Sequence, residues 1–107
     1  MFVNHHIFKA LGNETRLKIV QTLLVMEHNV SDLTIIAKKD QTTVSRHLAN
    51  LSNVKIVKQR KVGKKVFYSI FDKQIKKWLT DILISKKEKN NRSSLRNKIE
   101  NYIMEQP

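Results

Sequence analysis

Between Gln41 and Leu51 the chain reads Gln-Thr-Thr-Val-Ser-Arg-His-Leu-Ala-Asn-Leu, and its side chains sort by position. Val44, Leu48 and Leu51 recur at i, i+4 and i+7, which places them on one stripe of a helix. Thr43, Arg46, His47 and Asn50 fall on the opposite face. Their hydroxyl, guanidinium, imidazole and amide groups can hydrogen-bond base edges or phosphate oxygens, and no acid interrupts the face. An amphipathic helix with a merely solvated face would read the same way in isolation. The next segment shifts that balance. Of the eleven residues from 55 to 65, Lys55, Lys58, Arg60, Lys61, Lys64 and Lys65 are basic and none is acidic. Such a density of cations beside a polar helix points to a phosphate backbone.

Other chemistries find little support. No paired carboxylates, glycine-rich phosphate loop or nucleophile with an adjacent base stands out, so neither catalysis nor a cofactor is expected. The absence of cysteine removes disulfides, thiolate ligands and thiol sensing together. His5 and His6 are adjacent, and neighbouring side chains on a helix diverge by about 100°, which suits solvated or interface histidines better than metal ligands. His28 is expected at a helix end, beside the negative pole of the helix dipole. Arg16 fits a local hydrogen-bonding role or a phosphate contact. Trp78 sits on an apolar stripe and is expected in a domain core or a dimer seam.

The elements that must hold these residues follow from caps and periods. Asn4 can cap a helix over 5–11, ended by Gly12 as a left-handed cap. Asn13 caps a second helix with Glu14 in its first turn; Leu17, Val20 and Leu24 form one stripe and Ile19, Leu23 and Met26 another. After a stop near Asn29, Ser31 is expected to cap a third helix that turns Leu33, Ile36 and Ala37 inward. Asp40 caps the fourth, about three residues later, as a helix-turn-helix requires. Beyond Leu51 the period shortens to alternation. Runs over 56–62 and 66–71 read as two strands around Gly63-Lys64-Lys65, with Gly63 supplying positive φ. Asp72 caps a further helix carrying Ile75, Trp78, Leu79, Ile82 and Leu83 on one face. After the break at Asn90-Asn91, Leu95, Ile99, Tyr102 and Ile103 resume helical spacing, so 91–107 is expected to be an amphipathic extension of a domain over 1–90.

At 107 residues the chain can bury one modest core. Its 21 basic and 9 acidic residues give a net charge of +12, a self-repulsion that normally answers a polyanionic partner. No apolar run approaches the roughly 18 residues needed to span a bilayer. The first residues lack the basic-then-apolar order of a secretory signal, so a cytoplasmic protein is expected.

Three ordered segments resemble the ArsR/SmtB transcriptional repressors: Phe8-Lys-Ala-Leu-Gly-Asn-Glu-Thr-Arg-Leu-Lys-Ile19, Gln41-Thr-Thr-Val-Ser-Arg-His-Leu48, and Val62-Gly-Lys-Lys-Val-Phe-Tyr-Ser-Ile70. The resemblance runs from about residue 7 to residue 85. It implies a homodimer paired through the first and last helices of the domain and repression by occupying an operator. It also places Gln41, Thr42, Ser45 and Arg46 toward DNA, with His47 beside them. Two departures stand out. Lys38 and Lys39 occupy a turn that commonly holds glycine and an apolar residue. The family's sensor positions read Asn29 and Ser31 in one site, and Asp72-Lys-Gln74 with Ser85-Lys-Lys-Glu88 in the other, without the imidazole or thiolate that zinc favours.

The sequence therefore predicts a mainly α fold with a β-hairpin wing, a winged helix-turn-helix with a helical dimer interface. Its DNA-reading residues would be Gln41, Thr42, Thr43, Ser45, Arg46, His47 and Asn50, with Arg60, Lys61, Lys64 and Lys65 on the wing. The seam would use Ile7, Phe8, Ile75, Trp78, Leu79, Ile82 and Leu83. Double-stranded DNA and a second copy of the chain are the expected partners, with no metal and no membrane. The rival reading is an architectural protein that coats DNA with little sequence preference, for which the charge alone would serve.

Overall fold

The structure, a computed structural model, describes residues 5–83. In chain order they form α1 (His5–Leu11), α2 (Glu14–Val25), β1 (His28–Asn29), α3 (Val30–Ala37), α4 (Gln41–Asn53), β2 (Val57–Val62), β3 (Lys65–Ile70) and α5 (Lys73–Leu83). The strands make one antiparallel sheet in the order β1-β3-β2. This is the expected helical fold with a hairpin wing. The proposed cap at Asn4 and the extension over 91–107 lie outside the described residues.

Capping accounts for most helix starts. Asn13 Oδ1 accepts the Arg16 N–H at 3.0 Å, Asp40 Oδ1 the Thr43 N–H at 2.9 Å, and Asp72 Oδ1 the Ile75 N–H at 2.8 Å. Each side chain satisfies one of the donors a helix leaves orphaned at its start. The third helix begins earlier than expected. Asn29 is its cap, accepting the Asp32 N–H at 2.8 Å, and Ser31 lies inside the first turn. Gly12 also departs from expectation, because Gly63 is the one glycine with positive φ. The Gly12 N–H is shared between the Phe8 and Lys9 carbonyls, at 2.9 and 3.2 Å. A tightened last turn thus ends α1 without a left-handed residue.

In the helix-turn-helix, Lys38 takes the left-handed conformation (φ 57°, ψ 42°) that glycine would adopt most readily. The Lys38 and Lys39 N–H groups both reach the Thr34 carbonyl, and three residues separate α3 from α4. The hairpin turn is two residues long, since Val62 pairs with Lys65. Positive φ at Gly63 but not at Lys64 is the pattern of a type II′ turn. β1, which sequence reading did not foresee, pairs His28 with Tyr68 and Asn29 with Phe67, so β3 becomes the central strand. His28 accordingly lies in a strand rather than at a helix end, with Nδ1 3.3 Å from Asp32 Oδ2.

α2 is central and touches α1, α3, α4, α5 and β3. Val20, Leu33, Val44, Leu48, Leu51, Ile56, Leu79 and Leu83 are fully excluded from solvent around it. Met26, expected in the core, is 59% exposed because α2 ends at Val25. Ile36 is half-buried. Five of the seven residues expected at the subunit seam have another primary partner. Ile7, Phe8, Ile75, Leu79 and Leu83 are buried in the subunit's own core, because α1 and α5 both pack on α2. Phe8 and Trp78 meet edge to face with ring centroids 5.3 Å apart, so the two helices also touch one another. Trp78 and Ile82 remain partly exposed.

Candidate nucleic-acid interface

α4 exposes a polar face because Val44, Leu48 and Leu51 are drawn fully into the core. Gln41, Thr42, Ser45, Arg46 and Asn50 are exposed together on it, whereas Thr43 and His47 are half-buried. Asp40 stands at the start of this face. The Thr43 hydroxyl, then the Thr43 backbone N–H, hold its carboxyl below the usual aspartate value, and the charge of Arg46 adds to them. Just before it, the turn exposes Lys38 and Lys39, two cations beside the helix start that the sequence-derived site did not include.

His47 turns out to be an internal contact as well as a surface group. Its Nδ1 lies 3.2 Å from Nη1 of Arg16, whose Nε donates to the Ala10 carbonyl at 2.7 Å. Arg16 thus makes hydrogen bonds within the subunit, one to the nearby Ala10 carbonyl and one to a residue 31 positions away. Burial first, then the positive charges of Arg16, Arg46 and Lys39, push the His47 ring below its ordinary value, so it is neutral near pH 7.

The wing is attached to α4 through β2, and Lys58 to Lys65 are exposed along it. Its cations are not equivalent. Arg60 forms an ion pair with Glu27, through Nη2 and through Nε at 3.2 Å, and its guanidinium lies 5.5 Å from the centroid of the Phe67 ring opposite. The Arg60 hydrogen bond and charge hold Glu27 below the usual glutamate value. Among the described residues, no acid pairs with Lys61, Lys64 or Lys65. The wing reads as acid-free in sequence, and Glu27 reaches it only because β1 brings the end of α2 against the sheet; no local signal marks that pairing. Among the described residues no three His, Cys, Asp or Glu side chains gather into a metal-binding group. Nor is any described helix long and apolar enough to cross a membrane.

A helix-turn-helix with a three-residue turn, whose second helix exposes hydrogen-bonding groups and which a basic hairpin follows, defines a winged helix-turn-helix DNA-binding protein. Known proteins agree. The profile of the bacterial regulatory protein arsR family matches residues 13–59. A cadmium resistance transcriptional regulatory protein CadC homolog of Staphylococcus aureus is 39% identical over 83 residues, 77% of this chain and 69% of its own. The transcriptional repressor SmtB homolog of Synechocystis is 35% identical, over 64% of this chain and 52% of its own. The structure of HlyU from Vibrio cholerae superposes with a TM-score of 0.68 at 32% identity, over 73% of this chain and 85% of that one. The homodimeric winged helix-turn-helix domain Mb0332 of Mycobacterium bovis gives a TM-score of 0.73 at 25% identity, over 78% of each chain. The chain belongs to the ArsR family of bacterial regulatory proteins, DNA-binding transcriptional regulators and not enzymes.

Proposed function

We propose that the protein is a sequence-specific repressor that binds a palindromic operator as a homodimer and responds to none of the common metals. The exposure of Gln41, Thr42, Ser45, Arg46 and Asn50 on one face of α4, beside a basic wing, carries the reading. In it α4 reads the major groove with these residues and with Thr43 and His47 at their edge. Lys61, Lys64 and Lys65 hold phosphates; Arg60, already paired, contributes least. Two such heads would sit about 34 Å apart, or a multiple of it, on one face of the DNA. The homodimeric state of the Mycobacterium bovis domain supports pairing of two copies.

Metal independence rests on residue type. Asn29 is committed to capping α3, and Ser31 and Gln74 are poor ligands for zinc. Operator affinity should be indifferent to chelator and to added zinc; a stoichiometric zinc complex that releases DNA would end this part of the proposal.

Selection of bound duplexes from a random pool tests the whole reading, since a DNA-coating protein would enrich nothing. On the selected site, Arg46→Ala should cost about 1–3 kcal/mol and relax preference at its base pair. Lys64→Ala with Lys65→Ala should instead weaken all duplexes alike and flatten the salt dependence by about 0.9 per lost phosphate contact. Equal weakening of selected and random DNA by Arg46→Ala would remove Arg46 from the reading face.

A further inference from the structure

Arg16 is engaged along both edges of its guanidinium, by the Ala10 carbonyl in the last turn of α1 and by His47 Nδ1 on α4. A guanidinium offers only donors. Nδ1 of His47 must therefore accept, and a neutral imidazole that accepts at Nδ1 carries its proton on Nε2. We propose that Arg16 is a positioning residue for DNA reading, tying α4 to the end of α1 and fixing His47 as a neutral ring whose one N–H is at Nε2. The inference rests on α4 being the reading helix.

The tie spans three elements with one side chain. Arg16 stands in the first turn of α2, Ala10 near the end of α1, and His47 midway along α4, between exposed Arg46 and buried Leu48. A lysine at position 16 would not replace it, because one ammonium lacks the planar fork that meets two acceptors at once. His47 in turn offers the reading face a donor of fixed position and no charge, suited to an acceptor on a base or phosphate.

The arrangement has a built-in sensitivity to acid. The charges acting on the ring are Arg16 from α2, Arg46 from α4 and Lys39 from the turn, all positive. Protonation would place an N–H on Nδ1 facing the N–H of Arg16, donor against donor and cation against cation. The tie cannot survive that state. Because burial and like charge depress the folded-state pKa, the tie is complete above the ordinary histidine value of about 6.5 and is lost as pH falls through the lower folded value. Sequence reading needs directional placement, whereas general DNA binding needs only charge, which protonation increases. Acidification should thus lower the preference for the operator over random DNA.

Nitrogen-15 NMR of the imidazole rings in the full chain at pH 7.5, without DNA, tests the tie directly. Nδ1 of His47 should give an unprotonated signal and Nε2 a protonated one, and Arg16→Lys should blur this into mixed tautomers. A protonated Nδ1 in the wild-type chain would overturn the proposal. Binding to the selected operator and to random duplex, followed from pH 7.5 downward through the depressed His47 value, then tests its consequence. The ratio of affinities should fall about three- to tenfold, the scale of one net hydrogen bond. His47→Gln retains an amide oxygen that can accept from Arg16 and does not titrate, so its ratio, whatever its level at pH 7.5, should stay flat. An equal fall in His47→Gln would place the pH effect elsewhere and overturn the acid sensitivity. A wild-type chain with no operator preference at pH 7.5 would defeat the reading-helix assignment alone, while the NMR result would still decide the tie.

Discussion

Lys38 and Lys55 are the two non-glycine residues with positive φ among those described, at 57° and 61°. The left-handed region costs an L-residue roughly 1–2 kcal/mol, and glycine escapes that cost while losing more freedom on folding. Lys38→Gly should therefore stabilise the fold by a net of about 0.5–1 kcal/mol, seen as a higher urea midpoint with an unchanged slope. A lower midpoint would mean that the lysine stem packs in a way that offsets the strain. The same variant removes a cation beside the start of α4, so a gain in stability should come with weaker binding to all duplexes. Arg60 illustrates the opposite situation. Its charge counts toward the net +12, yet Glu27 neutralises it locally, and Arg60→Ala should alter the salt dependence of binding less than loss of Lys64 and Lys65.

Among the elements, α4 depends on an acid at the place where DNA would approach. Asp40 caps the helix through the Thr43 N–H, but its charge opposes a phosphate. Its depressed carboxyl makes a stabilising contribution that is present above the ordinary aspartate value of about 3.9 and lost as pH falls through the lower folded value. Asp40→Asn keeps a capping oxygen and removes the charge. It should bind DNA more tightly at low salt and lose less stability as pH falls below the ordinary aspartate value of about 3.9, as followed by urea midpoints. Tighter binding without the change in acid response would mean that capping by Asp40 owes nothing to its charge. The wing shows a different dependence. Two strands alone are marginal, and β1 turns them into a three-stranded sheet with β3 at its centre.

At the level of the whole molecule, the structure alters where a dimer could form. α5 presents Ile75, Leu79 and Leu83 to its own core, leaving Trp78 and Ile82 as its partly exposed apolar residues. Leu79→Ala should then cost about 2–5 kcal/mol of folding stability, whereas Ile82→Asp should leave the monomer folded and shift sedimentation toward it. A folded Ile82→Asp dimer of undiminished affinity would exclude this face of α5 from the seam. Residues 91–107 enter the same experiment. If they extend the seam, truncation after Asn91 should promote dissociation; unchanged dimerisation with weaker, less salt-sensitive DNA binding would make them a basic tail.

Local patterns sufficed for much of this protein. The stripe of Val44, Leu48 and Leu51, the caps Asn13, Asp40 and Asp72, and the change to strand alternation after Leu51 each depend on residues a few positions apart. Such patterns survive in a single sequence because periodicity and capping are short-range physics. The exposed face of α4 was legible for the same reason: once one stripe is buried, the remainder of a helix must face outward. What only the tertiary structure decided involves partners distant in the chain. Glu27 meets Arg60 and Arg16 meets His47 across 33 and 31 residues, and β1 acquires strand form only by pairing with β3. Likewise the apolar stripe of α5, expected at a subunit seam, is largely covered by α2 and β3 of its own chain. An apolar residue declares that it will be buried, but not against which surface, because the hydrophobic effect has no direction.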